Sequence, residues 1–280
     1  MQNLGFIGMG NMGKALATGF IKSGKIKAEN VFAYAPNQEK LKENAKNLGF
    51  TPLSSLQELT EKADTLIMAC KPQQIDGVLQ KLVNAYDRQG NGAAVTPDTP
   101  SLLDGKALIS IAAGWDLAAY QAKLSDKVRI QFVMPNTPAM VGSGVMLFED
   151  KNTLQQKERD QIRDLFSPLG MIAEIPSHLM GIGGAVTGCG PAFVDLMIEA
   201  YADAAVKYGV PRGLAYPLVS QTIFGAAKLQ LATGMHPAAL KDQVTSPGGT
   251  TIRGVAALEE YGFRSACIAS IDAIMDFKGK

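Results

Sequence analysis

Few short stretches restrict a fold as tightly as a strand that runs straight into Gly-x-Gly-x-x-Gly. Here Leu4-Gly5-Phe6-Ile7 is a short apolar run, and Gly8, Gly10 and Gly13 follow at that spacing. Ala15, Leu16, Gly19, Phe20 and Ile21 then continue as a helical pattern. The spacing predicts a tight turn at Gly8, close approach of a pyrophosphate at Gly10, and helix-on-strand packing at Gly13. Glycines at this spacing are a weak signal by themselves. A strand before them, a helix after and a second strand at 31–34 make a dinucleotide site the better reading.

The second strand ends in Tyr34-Ala35-Pro36-Asn37, with no Asp or Glu. An acidic residue there would hold the ribose 2′-hydroxyl of NAD and repel a 2′-phosphate. Its absence favours NADPH and leaves NADH open, with Lys40 and the amides around Asn37 as the groups to meet the phosphate. The βα alternation continues through helices at 41–48 and 56–61 and a buried strand at 65–69. That strand ends in Cys70-Lys71-Pro72, where Lys71 reads equally as a crevice ligand or a solvated loop lysine. A helix at 74–85 leads into 87–104, whose Gly, Pro, Asn and Asp predict an exposed loop. Strands at 107–111 and 128–133 end in Ala112-Ala113-Gly114 and Met134-Pro135-Asn136. Strands at 145–148 and 172–175, with a helix at 155–166, complete the sheet. The three strand ends at 70–72, 112–114 and 134–136 form a lip where the nicotinamide end is expected.

After Pro176 the strand signals stop, and helical runs follow at 192–206, 214–231, 237–242, 251–260 and 264–277. The run 214–231 is apolar on nearly every face despite Pro217. Such a helix must be covered, either as a core helix of one subunit or in an obligate homodimer built through this half, which is the expectation here. The fold class is therefore α/β: a Rossmann-type dinucleotide-binding domain over 1–175, followed by an all-α dimerisation domain over 176–280. Within the second half, Asp242-Gln243-Val244-Thr245-Ser246-Pro247-Gly248-Gly249-Thr250-Thr251 sets hydroxyls, proline and paired glycines before a helical run. Thr and Ser there are expected to satisfy free backbone donors, and a turn of bare N–H groups opening a helix suits a small carboxylate. An ordinary helix cap is the plainer alternative.

Composition removes other classes. A net charge of +1 over 280 residues gives no electrostatic footprint for nucleic acid or an anionic membrane. The apolar stretch 185–206 is interrupted by Asp195, Glu199 and Asp203, which argues against a membrane span. The N-terminal segment lacks a basic region ahead of its glycines, so no signal peptide is expected. Three dispersed cysteines fit a reduced, cytoplasmic protein, and His178 and His236 show no zinc-ligand spacing.

Several motifs together resemble the pyrroline-5-carboxylate reductase family. They are Gly8-Met9-Gly10-Asn11-Met12, Lys71-Pro72, Ser110-Ile111-Ala112-Ala113-Gly114, Met134-Pro135-Asn136-Thr137-Pro138-Ala139, Thr187-Gly188-Cys189-Gly190-Pro191-Ala192-Phe193 and the 240–251 run ending in Thr250-Thr251. The resemblance spans essentially the whole chain. It implies NAD(P)H-dependent reduction of the C=N bond of 1-pyrroline-5-carboxylate to L-proline, by dimers that associate further into a ring. It also implies that Ile7, Gly8, Met9, Gly10, Asn11 and Met12 line the cofactor, with Ala35, Asn37 and Ser54. Ala69, Cys70, Lys71, Pro72, Ile111, Ala112, Ala113 and Asn136 join them. Gln243, Ser246, Gly248, Gly249, Thr250 and Thr251 would hold the substrate, with the Thr251 hydroxyl on the ring nitrogen. The chain departs from the family's common pattern at Cys189 and Phe193 (often Ser and Tyr), at Pro36-Asn37 (often Asn-Arg) and in the length of 87–104. A β-hydroxyacid dehydrogenase is the rival enzyme reading. Its Gly-x-Gly-x-x-x-Lys pattern fails here, because Val194 stands where the lysine belongs. A non-catalytic NADP-binding sensor is the rival from outside enzymes.

Overall fold

The computed structural model describes residues 3–86 and 94–277, which form two compact units, Met1–Gly188 and Cys189–Lys280. The first begins β1 (Leu4–Ile7), α1 (Asn11–Lys22), β2 (Val31–Tyr34), α2 (Gln38–Leu48), β3 (Thr51–Pro52) and α3 (Leu56–Lys62). It continues β4 (Thr65–Met68), α4 (Ile75–Tyr86), β5 (Ala107–Ser110), α5 (Leu117–Gln121) and β6 (Arg129–Met134). Then come β7 (Gly144–Asn152), α6 (Gln156–Phe166), β8 (Gly170–Ile175) and α7 (Met180–Gly184). The strands form one sheet in the order β3-β2-β1-β4-β5-β6-β7-β8. Among the described strands only β6 and β7 pair antiparallel. Strand order reverses between β1 and β4, and ligands bind such sheets in the crevice at the carboxyl ends beside that switch. The expected lip belongs to β4, β5 and β6, which are parallel neighbours.

β1, β4 and β5 are buried at every position because helices cover both faces of the sheet. Strand alternation divides their side chains. Leu4, Phe6, Ile67 and Ile109 join Leu16 and Phe20 of α1, while Ile7, Leu66, Met68 and Leu108 join Leu79 and Leu82 of α4. Phe166 of α6 meets Phe20 and Phe148 edge-on, with centroids 5.0 and 5.6 Å apart.

The structure adds elements that the pattern did not announce. β3 contains Pro52, tolerable only because that strand lies at the sheet edge. α5 is five residues long and starts where Asp116 Oδ1 accepts from the Ala119 amide at 2.9 Å. α7 and the wider-wound turn after it (Ala185–Cys189) run through glycines of poor helix propensity. A Cβ on Gly184 would collide with Met134, so the glycine is what lets this helix lie against β6. The 87–104 segment is only partly as expected. Residues 87–93 lie outside the described ones, and Ser101 and Leu103 are buried rather than exposed. Leu103 joins the α4 side of the core, and the neighbouring Leu102 amide donates to the Leu82 carbonyl.

The second unit is helical: α8 (Gly190–Lys207), α9 (Arg212–Thr233), α10 (Pro237–Gln243), α11 (Thr250–Glu260) and α12 (Phe263–Met275). Among its described residues only Ala202 and Ala215 are buried in the single chain. α9 leaves Leu214, Leu218, Phe224, Leu229 and Leu231 at 50–76% exposure, so it is not a core helix of one subunit. The helical run Ser177–Lys207 is long and apolar enough to cross a membrane by length and composition.

Candidate active site

At the end of β1 the chain turns through Gly8, whose φ of +97° favours glycine. Its amide donates to the Tyr34 carbonyl at 2.7 Å, tying the turn to β2. A Cβ there would lie 2.8–2.9 Å from the backbone of Ala69 and Cys70, so no side chain fits. At Gly10 a Cβ would meet nothing within 4 Å. Gly10 is also the N-cap of α1, whose first turn receives no side-chain cap and carries no acidic residue. Open space against an uncapped helix start is what a diphosphate requires.

A cavity of about 470 Å³ opens from this turn. Ile7, Gly8, Met9 and Gly10 line it from β1, Ala35 and Asn37 from β2, and Ala69, Cys70 and Lys71 from β4. The other residues expected at the cofactor do not line it. Asn11 and Met12 open α1, and Pro72 starts the turn before α4. Ser54 donates its hydroxyl to Glu58 Oε2 at 3.1 Å. Ile111 extends the β5 ladder, its amide donating to the Met68 carbonyl, and Ala112 and Ala113 follow in the lip. Asn136 is a brace. Its Nδ2 donates to the Thr187 carbonyl at 2.9 Å, and its Oδ1 accepts from the Val145 amide at 2.8 Å. Conversely, Asn44, Leu56, Gln74, Val78 and Lys81 line the cavity without any motif to announce them.

Lys40, Lys71 and Lys81 are the charged residues among those lining it, and no carboxylate is present. A pocket of one positive sign suits a dinucleotide carrying an extra phosphate. Asn37 Oδ1 is already engaged as the α2 cap, accepting from the Lys40 amide at 3.0 Å, and the Lys40 ammonium has no ion-pair partner among the described residues. Lys40→Ala is expected to raise KM for NADPH about tenfold and to leave that for NADH within about twofold, measured by steady-state kinetics.

Burial pushes the Cys70 thiol up to about 11, outweighing a backbone hydrogen bond that acts the other way. The group therefore stays a neutral thiol throughout the neutral range. Cys70→Ala should leave the pH–rate profile unchanged from about pH 6 to about pH 9, since no thiolate forms there. A profile that lost a limb in this variant would contradict that assignment.

The hydroxyl-rich turn lies in the second unit. Thr245 closes the preceding helix, its hydroxyl bonding the Lys241 and Asp242 carbonyls at 3.1 and 3.2 Å. Gly248 takes φ +71°, and the Gly249 amide donates to the Ser246 carbonyl at 3.0 Å. α11 then begins at Thr250 with Gly249 as N-cap and no side-chain cap. The expectation that Ser and Thr would satisfy its free donors is corrected here, because Thr245 serves α10 and leaves α11 bare. The hydroxyls of Ser246, Thr250 and Thr251 have no hydrogen-bond partner among the described residues. The Gln243 Nε2 donates to Met235 Sδ at 3.9 Å.

Comparison with known proteins agrees with both units. Residues 177–279 match the family model for pyrroline-5-carboxylate reductase dimerisation, and residues 3–92 match that for NADP oxidoreductase, coenzyme F420-dependent. The pyrroline-5-carboxylate reductase of Treponema pallidum is 39% identical over 98% of this chain and 99% of its own. That of Escherichia coli is 36% identical over 98% and 96%. A Plasmodium falciparum pyrroline carboxylate reductase, solved with NADP bound, superposes with a TM-score of 0.82 at 34% identity, covering 97% of this chain and 95% of that one. The chain belongs to the pyrroline-5-carboxylate reductase family.

Proposed function

We propose that this protein reduces the C=N bond of 1-pyrroline-5-carboxylate to L-proline with NADPH as hydride donor, the last step of proline biosynthesis. The observation that carries the reading is the bare start of α11, an 11-residue helix with unbonded hydroxyls beside it, in a chain of this family. The substrate ring has one carboxylate and one nitrogen. The amides at Gly248, Gly249 and Thr250, with the Ser246 hydroxyl, bind the carboxylate at the positive end of the helix. The Thr251 hydroxyl then lies one residue further on and takes the ring nitrogen. A protonated imine is already electrophilic, so these residues chiefly hold and orient it. NADPH held at Gly8, Gly10 and Lys40 would supply a hydride for the imine carbon, with the former C=N π pair left on the nitrogen of the secondary amine.

The cofactor side of the reading rests on Gly8, Gly10 and Lys40. Their shape and charge fit a phosphorylated dinucleotide. The helical unit serves as the dimerisation surface. Besides α9, an apolar groove of about 440 Å³ runs between α8, α11 and α12, lined by Leu196, Met197, Tyr201, Leu258 and Phe263. A partner subunit would cover these faces, with further association into a ring, in a cytoplasmic enzyme. The test is NADPH oxidation with pyrroline-5-carboxylate, run beside hydroxyacid-type carbonyl substrates. Turnover of the imine alone is expected. Cofactor binding without any turnover would favour a sensor instead.

A further inference from the structure

Gly8, Gly10 and Gly77 are the glycines that line the nucleotide cavity. Gly8 is required by its φ and its close neighbours, and Gly10 leaves room for a diphosphate. Gly77 has neither a positive φ nor a neighbour: a Cβ there would meet no atom within 4 Å. It is the third residue of α4, where glycine costs helix stability relative to alanine. No described residue therefore requires a glycine at this position, and alanine would make the firmer helix. The space left where a side chain belongs has the same character as that at Gly10, and it opens on the same cavity.

This stretch of chain has two faces. Ile75, Leu79 and Leu82 turn into the core. Gln74, Gly77, Val78 and Lys81 recur at i, i+3, i+4 and i+7 and line the cavity. Gln74 Oε1 accepts from the Lys71 amide at 3.2 Å, which anchors this second face to the end of β4. Leu41 of α2 and Leu56 of α3 line the same cavity. A dinucleotide with its diphosphate at Gly10 and its ribose at the end of β2 carries its base beyond the ribose, toward these apolar side chains. We propose that the adenine of NADPH lies flat against the backbone of α4 at Gly77, and that this glycine sets the width of the base site. A planar ring can approach a bare Cα more closely than any side chain permits. The inference deepens the NADPH reading and rests on it.

The test measures dissociation constants, by calorimetry, for NADPH and for adenosine 2′,5′-bisphosphate, which carries the base and the 2′-phosphate without the nicotinamide. Gly77→Ala should bind both about tenfold more weakly, and Gly77→Val, whose branched side chain is stiff, about a hundredfold. At saturating NADPH the kcat of Gly77→Ala should stay near that of the wild type, because the hydride-bearing end is untouched. Without nucleotide, the thermal midpoint of Gly77→Ala should rise, since the helix gains and no described atom is displaced. Unchanged affinity in both variants overturns the proposal. So does weaker NADPH binding with an unchanged bisphosphate, which would put the ring elsewhere. A midpoint that falls in Gly77→Ala also overturns it, marking the glycine as a packing residue of α4. Each of these strikes Gly77 alone, whereas failure of the wild type to bind either compound strikes the cofactor reading.

Discussion

Thr251→Ala is expected to lower kcat about a hundredfold while NADPH affinity stays near that of the wild type. The residue stands one position inside α11, after Thr250 and the N-cap Gly249, so alanine there removes no helix cap. Its hydroxyl is exposed and bonds nothing among the described residues, so the fold should be indifferent to its loss, with Tm within about 2 °C. The reaction is another matter. An iminium N–H needs an acceptor, and the amine that replaces it carries a lone pair that needs a donor. A hydroxyl can serve as both without moving, which neither alanine nor valine can do. Losing one positioned hydrogen-bonding group at a reacting centre typically costs about two to three orders of magnitude in rate. Thr251→Ser should retain most of the activity, because it keeps the oxygen. Steady-state kinetics on both variants, with NADPH binding measured separately, decides the matter. Near-normal turnover by Thr251→Ala would falsify the role.

The parts of this site that could be read from sequence are those where backbone geometry restricts residue type. Gly8 is legible because no other residue fits at φ +97° against Ala69 and Cys70. Among the described residues, Cys70 and Lys71 alone of 70–72, 112–114 and 134–136 line the cavity, but these strand ends are legible as one edge because β4, β5 and β6 are parallel neighbours. Asn44, Leu56, Val78 and Lys81 are not. They are ordinary helix residues, in α2, α3 and α4, whose meaning depends on which helix faces which, and that is set by packing between segments far apart in the chain. Asn136 shows the converse hazard: its motif placed it in the lip, but both ends of its amide are used to clamp Val145 and Thr187. The hydroxyls near Gly248 are legible as a cluster, yet which helix each of them serves is decided by how the turn folds in space. Thr245 bonds backwards, and that is why α11 keeps a free end.

That free end sits in a unit that cannot stand on its own buried surface. With Ala202 and Ala215 its only buried residues among those described, the helical unit has almost no core within one chain. Folded proteins of this size normally bury more than half of the surface their unfolded chains expose. The exposed Leu218, Phe224 and Leu229 of α9 must therefore find cover, and a second copy offers the same apolar faces by symmetry. Burying one such side chain is worth about 1.5–3 kcal/mol, and a carboxylate in its place adds a desolvation cost of its own. Phe224→Asp is accordingly expected to weaken the dimer about a thousandfold or more. Because obligate dimers often lack a stable folded monomer, the variant should also lose thermal stability, and the wild-type Tm should rise with protein concentration. Sedimentation at micromolar concentration should give the wild type at about 59 kDa, twice the 29.7 kDa chain. A wild-type monomer under those conditions would leave α9 exposed to water and sink the dimer, and with it the explanation of why a helix apolar on nearly every side belongs in this chain.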